Sequence, residues 1–172
     1  PPLSFAFIRF FLAALIVAPF IWKNKRTFKE DIKTLGPLSV LATINIIFFV
    51  VVIKLTTANI SQILYAGVPV IVGLLTHFVL KDKLSSKKIT GIALGFIGTF
   101  LVLFLPIFEK GEFAGDLLGN FLLFVGVSSW SLYMMLSKKA QKTHSPFHII
   151  SIFIVITAFV LLPFFLFESV SQ

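Results

Sequence analysis

Six stretches of this chain are each apolar for about 20 residues, the length a helix needs to cross a bilayer. They run Pro2–Trp22, Gly36–Ile53, Ile60–Leu80, Ile89–Ile107, Leu117–Ser137 and Pro146–Phe167, and we term them spans A to F. Only short links separate them. A soluble protein of 172 residues has no interior able to hide six such helices. The expected fold class is therefore all-α: a membrane protein of six transmembrane helices. Composition supports this reading. Charged residues make up 13% of the chain, about half the usual share of a soluble domain.

The net charge of +8 would suit a nucleic-acid partner, but the placement of the charges argues against one. The A–B link carries Lys23, Lys25, Arg26, Lys29 and Lys33. The C–D link carries Lys81, Lys83, Lys87 and Lys88, and the E–F link carries Lys138, Lys139 and Lys142. Those links hold 12 of the 15 cations, whereas B–C holds only Lys54 at the end of B, D–E only Lys110, and the C-terminal tail none. Short loops rich in Lys and Arg stay in the cytoplasm. Basic and poor links alternate strictly, as six true crossings require. The expectation is a protein of the cytoplasmic membrane of a bacterium or archaeon, with A–B, C–D and E–F inside.

Chemistry is thinly represented. There is no cysteine, which removes disulfides, thiolate catalysis and sulfur-ligated metals. The three histidines read as scattered: His77 in span C, with His144 and His148 around the start of F. No ligand pair has metal-site spacing, and no phosphate loop or Ser–His–Asp constellation appears. The sequence reads as a non-enzyme without metal or cofactor.

Spans A and F share a pattern. Pro2 is followed 17 positions later by Pro19–Phe20, and Pro146 is followed 17 positions later by Pro163–Phe164. In that register Ala14 lies on Ala158, and Leu12 and Ile16 lie on Ile156 and Val160. Five spans fall within the offset, an odd number, so A and F run in opposite directions. Inverted-topology repeats of secondary transporters leave such a trace; the other reading is chance placement of proline near helix ends. The chain opens at Pro1 without a Met or a charged leader. A further helix before A, the counterpart of E, is therefore expected.

Four segments resemble the drug/metabolite transporter superfamily, specifically its EamA-type domains. Span A reads P-L-S-F-A-F-I-R-F-F-L-A-A-L, with the family's Pro start and internal Arg at Pro2 and Arg9. Span C follows a Thr-Ala approach, Thr56, Thr57 and Ala58, and has a mid-helix proline, Pro69. The next turn holds Asp82 where the family usually has Glu, followed by Lys83, Leu84 and the glycines Gly91, Gly95 and Gly98. The last segment, with Gly115, Asp116, Trp130 and Tyr133, resembles the opening helix of a second repeat. The resemblance implies ten helices in two inverted five-helix repeats, of which this chain would supply the second to the seventh. Residues 1–107 would then be most of the first repeat, 108–115 an outer linker, and 116–172 the start of the second.

Within that frame span C is the candidate lining of a path. Asn59, Gln62, Ala66, Pro69, Gly73 and Thr76 recur at steps of three or four and share a face. A polar, small-residue stripe faces a cavity or a close-packed neighbour, and both readings stay open here. Tyr65 is counted with this lining. Arg9 lies about 10 Å inside the start of A, where a charge costs roughly 3 kcal/mol on insertion scales unless it snorkels or pairs. Arg9 and Lys54 either attract an anionic substrate or pair with Asp116 or Glu112, and simple snorkelling is the alternative for Lys54. Asn45, midway along B, needs a partner in either substrate or neighbour. Trp130 sits too deep in E for an interfacial belt and is a candidate cavity residue. Gly91, Gly95 and Gly98 read as a helix-packing seam.

Two functions remain. The resemblance implies a secondary transporter of small metabolites or drugs. A non-transporting membrane subunit or scaffold is the alternative. The partners expected are the lipid bilayer, a small-molecule substrate, a coupling proton or counter-substrate and a second copy in a homodimer. Nucleic acid is excluded.

Overall fold

A computed structural model describes residues 2–23, 25–53, 55, 58–81, 85–110 and 116–170; side chains of 25–30, 58–59, 99, 102–110 and 169–170 lie outside the description. Seven helical segments follow one another: α1 Pro2–Lys23, α2 Lys25–Val52, α3 Ala58–Ala66, α4 Val68–Leu80, α5 Ser86–Lys110, α6 Leu117–Ala140 and α7 Pro146–Val170. No strand occurs among the described residues. Among the described residues five apolar spans reach membrane length: α1, the Asp31–Val52 part of α2, α3 with α4, α6 and α7. The helix α5 covers span D, but its side chains from residue 102 on are not described. The chain divides into two units, one of residues 1–50 with 136–172 and one of residues 51–135.

In two places the helices depart from the expected spans. The A–B link was read as a loop up to Gly36, yet α2 begins at Lys25. Lys, Arg and Glu are good helix formers, and Leu35 on this extension is fully buried against Ile149 and Ile152. Hydropathy is blind to a charged helical turn outside the membrane. Span C was read as one helix but is two, because Pro69 has no N–H to return to the Tyr65 carbonyl. The Val70 N–H instead bonds Gly67 O at 3.0 Å, a tighter i→i+3 turn, and Gly67 marks the break.

Unit 1 is built on α1 and α7, which run antiparallel. At one end of the pair the Ser4 N–H and hydroxyl both donate to Glu168 Oε2, at 2.8 and 2.7 Å. Further along, Phe7 stacks on Phe165 at 4.6 Å, and Phe10 meets Phe153 edge-on at 5.6 Å. At the other end Phe20 meets Phe147 edge-on at 5.3 Å. Such aromatic pairs are worth about 0.5–1.5 kcal/mol each beyond their burial. The helix α2 closes the unit. Its Ile46, Ile47 and Val50 pack against the cluster of Ala6, Phe7 and Leu161.

A hydroxyl seam joins α2 to α7. Ser39 donates to Leu35 O, and Thr43 donates to Ser39 O at 2.8 Å. Thr43 Oγ1 is also 2.9 Å from Thr157 Oγ1. With the Thr43 proton spent on Ser39 O, Thr157 is the donor across the seam. All three hydroxyls are buried, and each is satisfied without water, as lipid demands.

Unit 2 packs α3 and α4 against α5. A Cβ on Gly73 would lie 2.8 Å from Ile92 Cδ1, and one on Gly95 would lie 2.8 Å from Val70 Cγ2. Each helix thus leaves a notch for a branched side chain of the other. A Cβ on Gly91 or Gly98 meets nothing within 4 Å. Of the three glycines of the expected seam, Gly95 meets a described neighbour, with Gly73 as its counterpart on the facing helix. Same-face spacing identifies notches without saying which of them a neighbour fills. At the start of α6, Asp116 accepts from the Leu118 N–H at 2.9 Å as a cap. The backbone N–H of Asp116 donates to Leu55 O.

Candidate functional site

The broken helix α3–α4 carries most of the candidate lining, and the break sorts its residues. Gln62, Ala66 and Pro69 lie one above another on an exposed face. Beyond Pro69 the stripe turns inward: Gly73 meets Ile92, and Thr76 is buried. The expected single stripe is thus two short ones, because the tighter turn at Gly67 changes the angular step between residues on either side. Tyr65 is half-buried beside the exposed face, and the side chain of Asn59 lies outside the description. Gln62 therefore offers an amide, and the Pro69 break a disrupted run of carbonyls, on one side of a membrane-length element. Discontinuous membrane helices present such groups where irregular backbone lines a cavity or packs against protein.

Trp130 also belongs to unit 2. It is half-buried on α6, with its ring centroid 5.2 Å from that of Tyr133. Arg9 and Asn45 belong to unit 1. Arg9 is exposed on α1, its guanidinium carbon 6.0 Å from the centre of the Phe5 ring, the outer limit for a cation–π contact. Asn45 is buried on α2 at 5% exposure. The Asp116 carboxylate serves as the α6 cap, while Lys54, Thr56, Thr57, Asp82, Lys83, Leu84, Glu112 and Gly115 lie outside the described residues.

One cluster was missed. The histidines read as scattered, yet two of them meet on Asp31 in unit 1. His144 Nε2 is 3.1 Å from Asp31 Oδ1, and His148 Nε2 is 2.7 Å from Asp31 Oδ2. The second contact is short but too bent for a hydrogen bond, so it is an ion-pair geometry. No sequence spacing announces this cluster, because Asp31 is 113 positions from His144.

Only 22–39% of the most apolar stretch of each span is buried inside the protein. Phe5, Ile8, Leu12, Leu15 and Ile16 line the open side of α1. Helices of this length with such surfaces define an integral membrane protein whose backbone is satisfied within its own helices. The chain matches the EamA-like transporter family over residues 1–104, and it belongs to that family.

Among curated proteins, it is 32% identical over 123 residues to the uncharacterized transporter YetK of Bacillus subtilis, covering 69% of this chain and 36% of that protein. It is 28% identical over 164 residues to an uncharacterized transporter of Archaeoglobus fulgidus, covering 95% of this chain and 57% of that protein. It is 26% identical over 175 residues to the uncharacterized transporter YoaV of Bacillus subtilis, covering 99% of this chain and 59% of that protein. The chain thus spans between about a third and three-fifths of the length of these relatives. No solved structure matches it significantly.

Proposed function

We propose that the full-length protein is a secondary carrier that moves a small metabolite or drug across the cytoplasmic membrane. The observation that carries this reading is the break at Gly67–Pro69 in the middle of a membrane-length helix, with Gln62, Ala66 and Pro69 on one exposed face. It is joined to membership of a family named for transport. In this reading the exposed face of α3–α4 lines the path, with Tyr65 beside it. The amide of Gln62 supplies both a donor and acceptors to a polar solute. Trp130, Arg9 and Asn45 are separate candidates for substrate contact. In this reading a proton gradient or a counter-substrate drives the cycle. The basic A–B, C–D and E–F links face the cytoplasm. The two five-helix repeats are related by a half-turn in the membrane plane, with α1 and α7 as equivalent elements.

The test is uptake into liposomes holding the purified full-length protein. The panel is amino acids, nucleosides, sugars and cationic drugs, each with and without a proton gradient. Gln62→Leu is expected to reduce flux of the transported compound about tenfold, the worth of one hydrogen bond to a polar solute, with expression and thermal stability unchanged. Flux equal to the unsubstituted protein would remove Gln62 from the path. No uptake of any compound would favour a non-transporting membrane scaffold.

A further inference from the structure

Asp31 near the start of α2, His144 in the α6–α7 turn and His148 in the first turn of α7 form one cluster. We propose that it is a pH-responsive latch that holds the start of α2 against the α6–α7 turn of unit 1. The inference is independent of whether the protein transports anything.

The geometry is that of a clasp. Each carboxylate oxygen of Asp31 faces one imidazole nitrogen, and the three side chains are only 13–18% exposed. The His144 ring is held from behind as well. Its Nδ1 lies 2.7 Å from Thr143 Oγ1 and 3.2 Å from the Ala140 carbonyl. This second contact sets up two states. When neutral, His144 donates Nε2–H to Asp31, and the Thr143 hydroxyl turns from the Ala140 carbonyl, 3.2 Å away, to donate to Nδ1. When protonated, His144 donates from both nitrogens, with Thr143 Oγ1 as the nearer acceptor at Nδ1 and the hydroxyl proton returned to Ala140 O. Ala140 is the last residue of α6, and the C-terminal end of a helix favours a cation. Protonation therefore needs no rearrangement of the ring, and it converts the Asp31 contact to an ion pair.

The neighbouring charges are mostly cationic. On α2, Lys33 follows Asp31 and is exposed, while the side chains of Lys25, Arg26, Lys29 and Glu30 are not described. On α6 and the turn stand Lys138, Lys139 and Lys142, all exposed. Lys23 ends α1, and α7 adds no further charge before Glu168 at its far end. Among the described side chains Asp31 is the anion that faces the two imidazoles beside this set. Histidine changes charge between about pH 5 and 8. On the acid side of that window each Asp31 contact carries charge on both partners. On the alkaline side only the carboxylate is charged, and each contact loses the Coulomb attraction of the imidazolium. The latch is tight at low pH and loosens as the pH rises.

The test measures the distance the latch controls, in the full-length protein in lipid nanodiscs. This chain has no cysteine, so spin labels are placed at Lys33→Cys and Gln141→Cys, both exposed, with any cysteine elsewhere in the protein replaced by serine. Pulsed electron spin resonance is expected to show one short, narrow distance at about pH 5.5. At about pH 8 the closed fraction should fall by about fivefold relative to the open one. Asp31→Asn keeps the side-chain shape and should abolish the pH response, and His144→Gln should remove most of it. Where Asp31→Asn does not fold, His144→Gln carries the test alone. A distance that ignores pH in the unsubstituted protein would overturn the proposal, as would an equal pH response in the variants. Closure at about pH 8 that requires added Zn²⁺ and is reversed by a chelator would also overturn it, and would mark the cluster as a cation site instead.

Discussion

Unit 1 joins α1 to α7 by side chains that reach across, Phe7 on Phe165 and Ser4 on Glu168. Unit 2 joins α4 to α5 where side chains are missing, at Gly73 and Gly95. Lipid tails are as apolar as leucine, so neither pairing is driven by escape from water. What remains is van der Waals packing and hydrogen bonding, and the two units weight these differently. Unit 1 adds polar contacts that fix which groups meet, including Thr43 on Thr157 and the Asp31 cluster. In unit 2 the described contact of α4 with α5 is a fit of branched side chains into glycine notches. The comparison implies that unit 2 fails by wedging and unit 1 by losing specific bonds.

The largest expected effect is a wedge in unit 2. Gly95→Leu forces a four-carbon side chain into the space of Val70. It should cost about 3 kcal/mol, the upper range for overpacking, read as a loss of folded protein during SDS titration in mixed micelles. The same substitution at Gly98, which has open space, is the control. If both variants unfold alike, the notch is not what holds α5.

A smaller effect is expected from cutting the seam of unit 1. Thr157→Val and Thr43→Val, taken singly and together, form a double-mutant cycle. The coupling should be about 0.6 kcal/mol, typical of interhelical hydrogen bonds in membranes. Zero coupling would leave the hydroxyls as local helix decoration, and α2 would then meet α7 through contacts such as Leu35 on Ile149 and Ile152.

The smallest effect sharpens the contrast from the other side. Gly98→Ala adds a methyl where nothing lies within 4 Å. It should be neutral or should raise stability by up to about 1 kcal/mol through helix propensity. A clear loss in the full-length protein would show that another segment packs closely on this face.

The helices themselves were legible because membrane length and apolarity are local properties. Phe, Leu and Ile in runs of about 20 leave few alternatives. Pro69 was legible as a defect, but the rotation of the stripe across Gly67 was not, since it depends on which carbonyl the Val70 N–H finds. The charged start of α2 was lost because hydropathy scores the membrane and not the water beyond it. Among the candidate site residues, the shared face of Gln62 and Pro69 was legible because spacing along a helix is a local property. Asp31 with His144 and His148 was invisible because three ordinary surface residues become a cluster only when α2 and α7 meet. Thr43 and Thr157 were silent for a similar reason: a helical threonine can bond back to its own backbone wherever it points.

The Ser4–Glu168 contact also carries a consequence for synthesis. Its partners are 164 residues apart, whereas the notches of unit 2 bring together residues within one stretch of about 25. At about 5–20 residues per second, α1 waits roughly 8–30 s in the bilayer before the ribosome delivers the residue that will cap its first turn. During that interval α3, α4 and α5 already have everything they need to settle. Of the helices described, α1 is made before the rest yet waits for α7, so a membrane chaperone that shelters an unpaired helix would have much to do at α1.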